Sequence, residues 1–260
     1  MRITKAVGLG LALALIVAGA VPAQQDIRED VAMAADGTVE VSNISGSVVV
    51  TGWSQDRVEV TGTLGRGTER LDVFESGGDV TIEVVYPKGE NNNVEETDLF
   101  IRVPRGCGLE VSTVSANIEV SDFEGAAELE SVSGNVDVAG AVREVEVATV
   151  NGKIRLSNGG ELRNGEFASV SGNIEVDATL SSSGRFEFGT VSGNIVILSA
   201  GGVDADWDIE SFSGTITNDI GPQAERTSKY APGTELSFTS GRGGARISIE
   251  SLSGSIKILD

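Results

Sequence analysis

Histidine is absent from these 260 residues, and cysteine occurs once. Without histidine the chain builds neither a Ser-His-Asp nor a Cys-His nucleophile pair, and no His-ligated zinc site. Cys107 alone permits no internal disulfide. Basic charge is also scarce, with 19 Lys and Arg against 39 Asp and Glu, a net charge of −20. Nucleic acid needs a basic footprint on its phosphates, so it is excluded as a partner, and so is adsorption to anionic lipid. Cations and basic surfaces are favoured instead. Proline is rare, at 5 residues, and no segment beyond the first two dozen residues carries a helical period.

Long apolar runs are missing too, with one exception. Gly8 to Val21 is apolar, follows Arg2 and Lys5, and leads into Val21-Pro22-Ala23. That is the layout of a secretory signal peptide, residues 1–23, and the run is short for a membrane span. No Cys follows it to carry a lipid anchor. Its removal would leave 17 basic and 39 acidic residues, net −22. The expected location is extracytoplasmic: periplasm, outer envelope or secreted, with no transmembrane segment after cleavage.

What is present is a repeat. SVSGNIEV at Ser169 to Val176 recurs as TVSANIEV, SVSGNVDV, TVNGKIRL, TVSGNIVI, SFSGTITN and SLSGSIKI, and NISGSVVV at Asn43 precedes them all. Successive starts from Thr113 are 18, 18, 20, 21, 21 and 40 residues apart. A period near 20 with two short strand patterns per repeat is the signature of an all-β fold, a β-solenoid (β-helix) of 18–21-residue coils with parallel stacked strands. Six or seven such coils would make a rod on the order of 30 Å long. Residues 24–36 read as a polar tail, with a little helix at 30–35. Residues 37–260 read as one domain: 37–108 less regular, 109–260 the repeats, interrupted at 219–245. Whether 37–108 continues the coil or caps it stays open.

Numbering each repeat from its leading Ser or Thr as zero assigns the columns. Positions −2, +1, +5 and +7 are apolar and read as core ladders, stacked like on like. Position +3 is Gly except at Ala116, which suits positive φ or close approach to the next coil. Ser or Asn at +2 and Asn at +4 suit the turn. This accounts for SVSGN as structure, with too few glycines and no following helix for a phosphate loop.

Position −3 is acidic in six of seven copies: Glu110, Glu128, Glu146, Glu166, Glu187 and Asp208, with Ser248 the exception. If −2 points inward, −3 points outward, and the carboxylates stack in register. At about 5 Å in water each neighbouring pair repels by roughly 0.8 kcal/mol before screening. Two readings follow. The ladder is a gatekeeper that keeps a β-rod soluble, its repulsion relieved by Arg143, Arg163, Lys153 and Arg155, or it is a face for a cation or basic partner. Calcium is the cation that carboxylates would bridge, but no compact loop has graded ligand spacing, and no cofactor is expected. Asn91, Asn92, Asn93, Glu95, Glu96 and Asp98 form a solvated loop that could hold a cation. Cys107 reads as a small buried residue, Trp207 as core, and Trp53 as core or a sugar-stacking platform. Arg226, Lys229, Arg242 and Arg246 make the interruption locally basic and would rim the rod or offset the acidic face.

DGTVEVSNISGSVVVTGW, then VEVTGTLG, LFIRVPRG, the TVSANIEV–SVSGNVDV repeats and the closing GTELSFTSGRGGARISIESLSGSIKI occur in an order that resembles the bacterial putative-adhesin family. That family is a domain of unknown function on secreted and envelope-associated proteins. The resemblance runs from about Asp36 to the C-terminus. It implies a β-helix-like fold and an extracytoplasmic location, and it brings no catalytic residues. The expectation is a non-enzymatic structural or adhesin-like surface whose partner is an envelope protein, a cation or a matrix polymer. The alternative is a carbohydrate-active β-helix enzyme acting on envelope or matrix polysaccharide, and that would need Asp with Lys or Arg concentrated in one or two coils.

Overall fold

The computed structural model describes residues 25–88, 95–198, 202–226 and 232–260. The segment expected to be a signal peptide, residues 1–23, lies outside them, as do Asn91, Asn92, Asn93 and Lys229. The described chain is all-β and solenoid-like. Its strands are β1 (Gln25–Ala32), β2 (Thr38–Asn43), β3 (Gly46–Trp53), β4 (Arg57–Leu64), β5 (Arg70–Ser76), β6 (Asp79–Val85) and β7 (Thr97–Pro104). There follow β8 (Gly108–Thr113), β9 (Asn117–Phe123), β10 (Ala126–Ser131), β11 (Val136–Gly140), β12 (Glu144–Thr149), β13 (Ile154–Ser169) and β14 (Ile174–Thr190). The last are β15 (Ile195–Leu198), β16 (Ala205–Ser211), β17 (Ile216–Asn218), β18 (Glu225–Arg226), β19 (Thr234–Ser240), β20 (Ala245–Ser251) and β21 (Ile256–Leu259).

The strands form two faces. The first runs β6, β2, β8, β10, β12, β13, β14, β20, β16 with parallel neighbours throughout. The second runs β7, β3, β9, β11, β13, β14, β15, β21, β17, also parallel. Strands β13 and β14 are long enough to belong to both. Antiparallel strands cover three of the four edges: β5 on β6, β4 and then β1 beyond β7, and β19 on β16. Such covers remove open parallel edges on which another chain could add a strand.

Period-two alternation explains the strands, and the inward residues of both faces meet in one core. Positions −2, +5 and +7 are buried as expected, with Ile118, Val136, Ile154 and Ile174 at +5 at 0 % exposure. Phe167 and Phe188 stack at 5.1 Å, and Trp207 is buried against Phe238 at 5.6 Å. Cys107 is buried in this core, and burial pushes its thiol up to about 12.

Three expectations are corrected. Position +1 is not core: Val114, Val132, Val150, Val170, Val191, Phe212 and Leu252 are all exposed. Residues −2 and 0 point inward, so +1 points outward by parity, and apolar character there does not report burial. Second, residues 25–32 are neither tail nor helix but strand β1, antiparallel to β4 with Ile27 buried. Third, the coils do not stack in chain order. Strand β20, from the last repeat, lies between β14 and β16, so the final coil is inserted beneath the one before it.

The corner is built from the repeat. The buried hydroxyl at position 0 accepts from the +3 amide, as in Gly134 to Ser131, Gly152 to Thr149 and Gly172 to Ser169, at 2.8–2.9 Å. Each Asn at +4 accepts from the next coil's +4 amide at 2.9–3.0 Å, as Asn117 does from Asn135, Asn135 from Lys153, Asn173 from Asn194 and Asn194 from Ser255. The +3 glycines are required by close approach rather than positive φ: a Cβ on Gly172 would lie 1.7 Å from the Gly152 carbonyl oxygen. The exception, Ala116, lies next to Gly46, the one +3 glycine with positive φ, at +110.

Gly172→Ala is therefore expected to destabilise by about 2–3 kcal/mol through overpacking. Gly189→Ala, whose Cβ meets nothing within 4 Å, is expected to be near neutral. Urea unfolding of the two variants checks the contrast, and equal loss would contradict the corner geometry.

Candidate functional site

The outward residues of the first face form columns. The carboxylates of position −3 do stand in register: Glu110 opposite Glu128, Glu128 opposite Glu146, Glu146 opposite Glu166, and Glu166 opposite Glu187. Glu40 of β2, absent from the repeat-based expectation, extends the row below Glu110. Asp208 does not adjoin Glu187, because the inserted β20 puts Ser248 between them. The glutamates Glu110 to Glu166 are exposed, and Glu187 is half-buried.

This row keeps its charge. Arg185 pairs with Glu187 at 2.6 Å, and among the described residues no other basic side chain is ion-paired with a member of the row. Partial burial, and then Glu166, Glu128 and Glu130, push the Glu146 carboxyl above its ordinary range. The residues expected to relieve the repulsion do not. Lys153 and Arg155 lie on the second face, where Lys153 reaches Glu175 at 2.9 Å and Arg155 lies 3.9 Å from both Asp137 and Glu175. Among the described residues Arg143 and Arg163 are in no ion pair. The two faces thus differ: in the second, Arg155 stands between Asp137 and Glu175 in the column that begins Glu119, Asp137, whereas the first has no basic residue among Glu110, Glu128, Glu146, Glu166 and Glu187.

Two residues along each strand, position −1 carries small side chains at the centre, Ala148, Ala168 and Gly189, and glutamates at the ends, Glu130, Glu250 and Glu210. Two further on stands the exposed apolar row. Amide-to-carbonyl bonds of 2.9–3.3 Å from each +1 residue to its neighbour's position 0 fix its order: Val114, Val132, Val150, Val170, Val191, Leu252, Phe212. Ile44 opens the row below Val114. The small floor, the residues at position 0 and the apolar row line a groove of about 930 Å³ along the corner, closed near β19 by Pro232 to Glu235, and the carboxylate row runs outside it, two residues beyond the floor. A shallower depression of about 510 Å³ lies over the carboxylates themselves. The apolar row was hidden in the sequence by the equation of apolar with buried. The buried polar residue at position 0 was the signal that would have exposed it.

The remaining candidates are accounted for. Among the described residues no group of three or more Asp, Glu or Cys is placed to hold a metal ion, since the row supplies one carboxylate per strand. Glu95 is ion-paired with Arg66, and Asp98 accepts from Ser47 at 2.7 Å. Trp53 lies under two guanidinium groups, Arg57 at 5.0 Å and Arg102 at 5.7 Å, so its ring is not a free platform. Arg242 reaches Asp204 at 3.4 Å, and Arg246 lies opposite Arg185 and Asp206 at the margin of the first face. Among the described residues no helix is long and apolar enough to cross a membrane.

A family model described as Toastrack DUF4097 matches residues 33–259. Three solved structures are similar in outline. A "putative adhesin" from Bacteroides fragilis is 15% identical, with 92% of this chain and 99% of that chain covered and a TM-score of 0.44. A "putative cell adhesion protein" from Clostridium sporogenes is 10% identical over 91% and 99%, with a TM-score of 0.35. A "putative lipid binding protein" from Parabacteroides distasonis is 13% identical over 90% and 97%, with a TM-score of 0.32. No curated protein sequence matches the chain.

Two carboxylates are expected to respond to pH with opposite sign. The Glu146 carboxyl is raised in the fold, so its ionised form carries a penalty at pH 7 that fades as pH falls through that raised value toward the ordinary carboxylate range. The Glu175 carboxyl is held low by Lys153, so its contribution is full at pH 7 and is lost as pH falls through that depressed value. At pH 7 and low salt, Glu146→Gln should raise the unfolding midpoint and Glu175→Gln should lower it, each by less than about 1 kcal/mol. Thermal unfolding between pH 7 and pH 3 should show both differences shrinking.

Proposed function

The chain belongs to the Toastrack DUF4097 family, and from that premise we propose that it is a secreted or envelope-associated, non-enzymatic β-solenoid that binds a basic or cationic partner. The binding face is the row Glu110, Glu128, Glu146, Glu166 and Glu187, with Asp208 beyond Ser248. The finer organisation belongs to the same proposal: a signal peptide at residues 1–23 directs the chain out of the cytoplasm, and residues 37–260 form one domain of 18–21-residue coils. Register offsets of 18, 18, 20 and 21 residues along Val111, Leu129, Val147, Phe167 and Phe188 support that coil length.

The observation that carries the proposal is the difference between the faces. A gatekeeper role needs charge, not charge of one sign. The second face sets Lys153 and Arg155 against Glu175 and Asp137, whereas the first stacks Glu110, Glu128, Glu146, Glu166 and Glu187 in register and, among the described residues, leaves all but Glu187 without an ion pair. Repulsion built into a row is relieved when a partner of opposite sign arrives, and it steers that partner's approach. The carbohydrate-active reading draws no support from this geometry. The carboxylates lie one per strand, and the coil richest in basic residues has two of them paired on the opposite face.

A fluorescent 20-residue lysine homopolymer tests the proposal. It should bind at low ionic strength, weaken with salt, and lose about tenfold in affinity when Glu128, Glu146 and Glu166 are together changed to Gln. Equal affinity for the triple variant would refute the acidic row as the binding face.

A further inference from the structure

We propose that the groove beside the acidic row seats one basic amphipathic α-helix of a partner protein, its apolar stripe against Val150, Val170 and Val191 and its Lys or Arg flank toward Glu146, Glu166 and Glu187. This rests on the binding-face reading above and deepens it by naming the form of the partner. Scattered exposed apolar residues are ordinary on protein surfaces, whereas a continuous row of them marks an interaction site. Here the row is continuous: from Val114 to Phe212 each member lies between 40% and 58% exposed. Parity places the column outside the core, so nothing in the packing of the coil demands an apolar side chain there.

The dimensions select a helix. Position −3 stands three residues, about 10 Å, before the strand end at position 0, and +1 stands at the bend just beyond it, so the rows frame a width close to the 10–12 Å of an α-helix. Between them the floor drops to Ala148, Ala168 and Gly189, and a Cβ on Gly189 would meet open space. Rungs repeat about every 4.8 Å, and a helix laid along the rod returns a side chain about every 5.4 Å. The mismatch accumulates to only about 2 Å over four rungs. An extended segment presents a side chain on one face only about every 6.7 Å and leaves register within two rungs.

Charge selects the composition. The groove's own lining carries Glu130, Glu210, Glu235 and Glu250 and no basic residue, and the unneutralised acidic row runs alongside it, two residues beyond the floor. A second copy of this chain would bring its own acidic row against the first, and an anionic lipid surface would be repelled in the same way. A helix with an apolar stripe and one basic flank satisfies both sides of the groove at once.

An 18-residue synthetic peptide with Leu at helical spacing and Lys along one flank is the probe. Two controls accompany it: one with Glu in place of Lys, and one with two central prolines that prevent the helix. The Lys peptide should bind one to one and gain helicity on binding. The proline control, and Val150→Ser/Val170→Ser/Val191→Ser protein with an unchanged unfolding midpoint, should each bind about tenfold more weakly. Equal binding of the proline control, unaltered binding to the Ser variant, or a groove sealed by self-association in sedimentation would each overturn the inference. If the lysine homopolymer still binds through the carboxylates in those cases, the acidic-face reading survives and only the helix is lost. If neither probe binds, both fall.

Discussion

Close approach of one coil to the next at the Ser-Gly corner governs the rest of this fold. The +3 glycine sits so near its neighbour's carbonyl that a side chain has no room, with 1.7–2.0 Å left for a Cβ along the stack from Gly134 to Gly254. At that distance a coil cannot slide against the one below. The buried hydroxyl at position 0 and the Asn ladder at +4 hold the same register with directed hydrogen bonds. Once the corner fixes register, every column stacks like on like, whether the result is favourable or not. Phe167 on Phe188 is a favourable consequence, and Glu146 between Glu128 and Glu166 is an unfavourable one.

That constraint explains why the acidic row is informative. A sheet of loose register could displace its carboxylates sideways to relieve repulsion. This one cannot, so the only local remedies are a basic residue in the column or a smaller one. The second face takes the first remedy at Arg155 and the inserted strand takes the second at Ser248. From Glu110 to Glu166 the first face takes neither. The Glu146 carboxyl is raised first by desolvation and then by Glu166 and Glu128, its neighbours in a row whose repulsion the fold itself leaves unrelieved.

Much of this was legible in the sequence because period-two alternation and an internal repeat report directly on which side of a strand a residue lies. The strands, the core columns at −2, +5 and +7, and the outward direction of Glu110 to Glu187 all follow from it. The apolar row did not, because Val at +1 was assigned to the core by its hydrophobicity, and Ser and Thr at 0 were given no side. The assignment at +1 inverts once the hydroxyl at 0 is seen to satisfy the buried +3 amide. Strand β1 was missed for a related reason. Gln25–Ala32 is polar on both sides because it covers an edge and contributes only Ile27 and part of Val31 to the core. The floor at Ala148, Ala168 and Gly189 lay in plain view but carries no chemistry until the rows on either side are known.

The position of β20 was illegible for a deeper reason: repeats that share one signature are interchangeable as stacking partners. SFSGTITN and SLSGSIKI fit the same corner, so nothing local specifies which lies nearer SVSGNIEV. The hairpin of β16 with β19 decides it. Strand β16 is covered on one side by β19 running antiparallel, which leaves its other side for a parallel partner. The chain leaving β19 supplies that partner as β20 and slots it against β14. The corner pays a small local cost, for the buried hydroxyls of Thr190 and Ser251 find no hydrogen-bond partner at this junction. The gain is that the parallel sheet of the first face ends under an antiparallel cover, and that β19 closes one end of the groove. It follows that the groove is complete only after the last residues of the chain have folded, because its apolar row passes from Val191 to Phe212 through Leu252. Closing that row joins Leu252 to Thr190 and Phe212 to Ser251, so the C-terminal end of the groove is held by contacts between residues distant in sequence, as its other end is at Val114 and Asn43.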